Sequence, residues 1–222
     1  MHEVDYPKAF FKMVNGDGAC VSTQLSSHRD VGMVNFTGSS LARIAISKAA
    51  ADTLKRLSAK LCGKGANIIF EDADDKAFKR GARHCFGNSG RSCNAPTRML
   101  VHKSRYDAAV EEVADLVKNT HAGTASEEGR HIGIVVSEVQ LDKIQKLIEI
   151  GMTEARLVAG GLRRPDGLNR RYYVKPTVFT DVANEMTIAC EEIFGPVLSI
   201  IPFESGEEAI SIANNTPYGL TN

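Results

Sequence analysis

Four short apolar runs constrain this chain most: VGMVNFT (31–37), NIIF (67–70), RMLV (98–101) and PVLSIIPF (196–203). Each is too short for a buried helix and rich in β-branched or large aliphatic residues. Helix-length amphipathic segments separate them. Strands that are apolar on both faces and spaced by helices predict an α/β fold with a mainly parallel sheet. After the first run, GSS and apolar positions at Leu41, Ile44, Ala45, Ala51, Leu54, Leu57 and Leu61 predict a helix over about 41–61, capped by Ser39 or Ser40. EDADDKAFKRGARHCF reads as a helix opened by Asp72 or Asp74. Further helices are expected near 106–119, 137–149 and 207–215, with a short strand in ARLVAGG and an extended YYVKPTVFTDV.

Charge and cysteine content narrow the function. The 27 basic and 27 acidic residues cancel, so neither nucleic acid nor an anionic membrane is an expected partner. No run approaches the ~20 apolar residues of a membrane span. The start has no signal-peptide pattern, and the five cysteines contain no CxxC pair, which suits a reducing, cytoplasmic setting. None of the six histidines has metal-ligand spacing to another, so no metal site is expected. Cys62, Cys85 and Cys190 are expected to be small buried hydrophobes.

Cys93 differs. It sits in FGNSGRSCNAPTRMLV among small and polar residues, with a glycine for a tight turn and Arg91 close by. A nucleophilic cysteine needs access, a thiolate and donors for an oxyanion. Spacing alone leaves a structural cysteine open as the alternative. It also leaves Glu192 open as half of a solvated pair with Glu191, Phe194 as core, and the GSS turn as an ordinary helix cap.

NSGRSCNAPTRMLV resembles the active-site segment N-x-G-Q-x-C-x-A-x-x-R of the NAD(P)-dependent aldehyde dehydrogenases. VNFTGSS, LCGKGANIIFEDAD, YYVKPTVFTDV, EEIFGPVLSIIPF and ANNTPYGL are similar to further motifs of that family, in the same order, over 13–222. The resemblance implies an aldehyde dehydrogenase-like catalytic domain over 63–222. It implies a partial Rossmann-like strand-helix remnant of the dinucleotide-binding domain over 1–62. Family members are about twice this length, so the rest of the cofactor domain and the C-terminal oligomerisation segment are expected to be absent. The implied reaction is oxidation of a small-molecule aldehyde to an acid with NAD or NADP, through a thiohemiacetal and thioester on Cys93. Gly38 and Ser39 are then expected near the cofactor diphosphate, and Glu192 and Phe194 near its nicotinamide end.

Two residues depart from the family pattern. Lys60 stands where the general-base glutamate is expected, and a protonated amine cannot take a proton from water. A cation there favours a thiolate at Cys93 and leaves thioester hydrolysis unassisted. Arg43 replaces a glycine in the cofactor turn, where it would block or pair with the diphosphate. The alternatives are a non-catalytic remnant that assembles with copies of itself or a fuller homologue, and a cofactor-independent esterase or redox thiol.

Overall fold

The computed structural model describes residue 7 and residues 10–129 and 131–220. The chain divides into two compact units, Met1–Leu61 and Cys62–Asn222. Among the described residues no helix is long and apolar enough to cross a membrane.

In the first unit a π-helical turn, Gly18–Ser22, runs into a short helix α1 (Thr23–Ser27). A strand-helix-strand unit follows: β1 (Met33–Gly38), α2 (Ser40–Ala51) and β2 (Arg56–Leu61). The strands pair in parallel from Met33 opposite Arg56 to Gly38 opposite Leu61. The expected single helix over 41–61 is therefore corrected. Leu57 and Leu61 are four apart, a spacing that places two residues on one face of either a helix or a strand. Pairing with β1 decides for the strand, and Leu57, Ala59 and Leu61 then form its half-buried face. Between the two elements, Thr53 and Lys55 both donate to the Ala50 carbonyl, and Leu54 takes a left-handed φ of 51° with 93% of its surface exposed.

The second unit holds a five-stranded sheet. Its order is β3 (Ala66–Ile69), β4 (Arg98–His102), β7 (Val197–Phe203), β6 (Thr177–Thr180) and β5 (Arg156–Ala159). The first four are parallel and β5 runs antiparallel to β6. An α/β fold with a mainly parallel sheet is thus observed. Helices cover both faces. On one side α3 (Ala77–Phe86) and α4 (Tyr106–Lys118) pack Phe78, Val113 and Val117 against Met99, Val101, Leu198 and Ile200. On the other, α5 (Glu138–Glu154), α6 (Thr187–Cys190) and α7 (Gly206–Asn214) pack Ile144, Ile148, Ile188 and Ala209 against Leu100, Phe179, Val197 and Ile201. Alternate residues of β4 and β7 point to opposite layers, which is why Met99–Val101 and most of β7 are apolar. Helix α3 begins at Ala77, later than Asp72 or Asp74 suggested. Asp74 instead closes the turn before it, accepting from the Lys76 N–H at 2.8 Å.

Two cations lie inside this unit. Arg98, the first residue of β4, is 0% exposed. Its guanidinium donates to the carbonyls of Lys64 (2.9 Å), Ile212 (2.9 Å) and Ala213 (2.9 Å) and to Asn184 Oδ1 (3.2 Å). The two helix-end carbonyls are the negative pole of α7, a suitable partner for a cation that burial otherwise disfavours. Lys64 is 1% exposed. Burial pulls its amine from 10.5 down to about 8; Cys85, Glu192 and Cys190 oppose this pull and Arg98 adds to it.

Replacing Arg98 with Met would leave four buried acceptors without a donor and is expected to cost about 3–5 kcal/mol, read from denaturant unfolding. Lys64→Met gives a pH test. Because the folded amine releases its proton near 8 and the unfolded one near 10.5, the unfolded state holds more protons between these values. Stability due to this group therefore rises with pH across that window. The Met variant should be more stable at neutral pH, by on the order of 1–3 kcal/mol, and should lack that rise.

Candidate functional site

Cys93 lies on the connection between α3 and β4. A short 3-10 turn, Gly87–Gly90, follows α3, and in it Asn88 (φ 49°), Ser89 (φ 57°) and Gly90 (φ 69°) are all left-handed. Such a run is costly for residues with side chains and is held by its surroundings. Arg91 holds Asn88: its Nε donates to the Asn88 carbonyl at 3.3 Å and its Nη2 to Asn88 Oδ1 at 3.2 Å. Ser89 is buried, and its hydroxyl donates to the Gly133 carbonyl at 2.9 Å. Cys93 itself is half-buried, in a tight turn closed by the Ala95 N–H donating to the Ser92 carbonyl at 2.9 Å.

The EIFGP segment meets this turn. A Cβ on Gly90 would lie 2.1 Å from the Gly195 carbonyl oxygen, so only glycine permits the contact. Phe194, just before it, is half-buried with a left-handed φ of 55°. Glu192 is half-buried too. Burial pushes its carboxyl above the usual range, while a hydrogen bond from the Cys62 thiol and the charges of Lys143 and Lys64 act in the opposite direction. The Glu192 backbone also hydrogen-bonds the Tyr218 hydroxyl. The loops carrying Cys93 and Glu192 are thus brought together within one unit.

Gly38, Ser39 and Lys60 belong to the other unit. Gly38 ends β1, where a Cβ would come within 2.5 Å of the Phe36 ring. Ser39 is the N-cap of α2, its hydroxyl accepting from the Ala42 N–H at 3.3 Å. A small residue followed by a helix N-terminus has the chemistry to receive a diphosphate. Arg43 leaves that end clear: its Nε donates to Ser47 Oγ at 2.9 Å, one turn further along α2. Lys60 is exposed on β2, opposite Thr37 in the ladder and next to the Gly38 position.

Gln140 and Lys143, close to Glu192, escaped the sequence reading, and neither the Ser89 hydrogen bond nor the burial of Arg98 was foreseen. Gln140 and Lys143 look like the solvated face of an amphipathic helix. No sequence signal distinguishes a side chain that caps a distant carbonyl from one that meets water. Cys190 requires correction: it is exposed, with its thiol 3.2 Å from the Asn184 carbonyl, because α6 is a single turn whose last residue projects outward. Cys62 and Cys85 are buried as expected. Among the described residues there is no group of three or more His, Cys, Asp or Glu that could hold a metal ion.

The chain is similar to known proteins along its whole length. The model of the aldehyde dehydrogenase family matches residues 1–222. A 3-succinoylsemialdehyde-pyridine dehydrogenase from a Pseudomonas species is 46% identical over 99% of this chain and 46% of its own length. An aldehyde dehydrogenase of Bartonella henselae, solved by crystallography, is 56% identical with a TM-score of 0.90, over 93% of this chain and 44% of the other. A betaine aldehyde dehydrogenase of Staphylococcus aureus, solved with NAD+, is 34% identical with a TM-score of 0.93, over 98% and 45%. The chain therefore spans less than half the length of these relatives. The agreement in sequence, in fold and along the whole of this chain has one reading: the chain belongs to the aldehyde dehydrogenase family.

Proposed function

We propose that this chain is the catalytic part of an NAD(P)-dependent aldehyde dehydrogenase in which Cys93 is the nucleophile. The observation that carries the reading is the packing of the Cys93 loop against the Glu192–Phe194 loop through Gly90 and Gly195. In this reading Cys62–Asn222 is the catalytic domain and Met1–Leu61 contributes the cofactor turn. The five cysteines, spread without a CxxC pair, suit a reducing, cytoplasmic compartment. Association with a second copy or a fuller homologue is part of the same proposal.

The Cys93 thiolate donates an electron pair to the aldehyde carbon, and the carbonyl oxygen becomes an alkoxide. Collapse of this thiohemiacetal expels the former aldehyde hydrogen as hydride and leaves a thioester on Sγ. Water then adds to the thioester, the C–S bond breaks, and the acid departs as the thiolate re-forms. NAD(P), when bound, supplies the hydride acceptor. Gly38, Ser39 and the first turn of α2 fit its diphosphate, and Glu192 and Phe194 fit its nicotinamide end. Lys60 cannot do what a base must do in the last step. An amine in place of the base leaves water unactivated, so the acyl group is expected to remain on Cys93.

Intact-mass analysis after incubation with a short aldehyde and NAD should show one acyl adduct, on Cys93, accompanied by nicotinamide reduction. Cys93→Ala should show neither. Lys60→Glu should clear the adduct faster by roughly a hundredfold, the lower end of what a positioned base contributes. A folded chain with no adduct and no reduced nicotinamide would end this reading.

Acidity supplies a second check. Because burial raises the Glu192 carboxyl, it loses its charge at a higher pH than an exposed glutamate does on acidification. Affinity for NAD, followed by titration calorimetry, should fall as the pH is lowered from neutral to mildly acid. Glu192→Gln should flatten the profile.

A further inference from the structure

One short stretch of chain touches both loops of the site. Ahead of α5, the Gly133 carbonyl accepts from the buried Ser89 hydroxyl of the cysteine turn at 2.9 Å. Within α5, Gln140 Nε2 donates to the carbonyls of Ile193 (3.0 Å) and Phe194 (3.1 Å), and Lys143 Nζ donates to that of Glu192 (2.8 Å). Ile144 lies under Gly195, where a Cβ would come within 2.6 Å of its Cδ1. Residues 140, 143 and 144 share a helix face by their i, i+3, i+4 spacing, so three consecutive carbonyls and the following glycine rest on one surface.

That surface is itself well anchored. Leu141, Ile144 and Ile148 are buried in the core, the Ser137 hydroxyl caps α5 by accepting from the Gln140 N–H at 3.2 Å, and the Val135 N–H donates to the Tyr172 carbonyl at 2.8 Å. The EIFGP loop carries a left-handed Phe194 and no regular hydrogen-bond ladder of its own until β7 begins, so its shape must be imposed from outside.

We infer that the segment 133–144 is a positioning frame for the site: Gln140 and Lys143 are positioning residues that set the backbone of the Glu192–Phe194 loop and, through the Gly90–Gly195 contact, the register of the Cys93 turn against it. The inference rests on the roles proposed above for Cys93, Glu192 and Phe194. The frame acts on carbonyls, and so its effect is independent of which aldehyde is bound.

The test uses the chain as it stands, in four forms: unmodified, Lys143→Met, Lys143→Arg, and Gln140→Leu with Lys143→Met. Two readouts are taken: hydrogen exchange of the amides in 192–197 and the rate of Cys93 alkylation by iodoacetamide. In the double variant, loop exchange should quicken by about tenfold, the factor expected when a charge-assisted hydrogen bond is lost from a locally opening segment. Cys93 alkylation should quicken severalfold as the turn loosens, with the thermal midpoint lowered by only a few degrees. Lys143→Arg keeps a donor and should behave as the unmodified chain does. Unchanged loop exchange would overturn the inference, and so would faster exchange with Cys93 alkylation unaltered. Should the double variant fail to fold, Lys143→Met alone, at an exposed position, is judged by the same criteria. Neither readout needs turnover. An inactive chain that shows both changes would sink the functional reading and leave the frame standing.

Discussion

The Arg98 guanidinium is the interaction on which the rest of the larger unit depends. It starts the strand that follows the Cys93 loop and joins the stretch around Lys64, the loop at Asn184 and the last turn of α7. Three separated parts of the chain thereby converge on one side chain. A buried cation without a carboxylate partner is tolerated here because carbonyl dipoles surround it and the planar fork reaches four acceptors at once. Lysine, a single point donor, could not. The loop between Cys93 and Arg98 is short, so the anchor that organises the core also restricts where the thiol can be.

Around Cys93 the governing constraint is close backbone approach. The left-handed run Asn88–Gly90 brings the turn against the Gly195 carbonyl, and neither the conformation nor the distance tolerates a side chain at Gly90. Strain of this kind persists only where neighbours over-determine it. Here Arg91 holds Asn88, Gly133 accepts from Ser89, and α5 supports the opposing loop. A thiol on a turn fixed from three directions is held in place without depending on its own side-chain packing.

The two departures from the family pattern have different weights once geometry is known. Arg43 looked like an obstacle at the cofactor turn, yet its bond to Ser47 directs it along α2 and away from Ser39. A residue's length matters less there than which partner holds it. Lys60 is exposed on β2 beside the Gly38 position, and an amine there does not have a carboxylate's chemistry. The difference lies in the first unit and leaves the Cys93 loop as it is.

Much of the architecture was legible in the residues. The apolar runs at 67–70, 98–101 and 196–203 read as strands and the periodic segments between them as covering helices, because periods of two and 3.6 leave different marks. The motifs around Cys93 and Glu192 were legible as well, through resemblance. Where one spacing serves both periods, as with Leu57 and Leu61, the sequence reading carried the helix too far and pairing with β1 made the strand. Local pattern likewise could not show that Gln140 and Lys143 reach carbonyls fifty residues away, that Arg98 is buried, or that Cys190 is exposed. The sequence by itself determined most of the strands and helices and marked out Cys93 by its surroundings; only the tertiary structure decided that 56–61 is a strand and which polar groups meet, because pairing and hydrogen bonds between distant residues depend on their approach in space and leave no periodic trace along the chain.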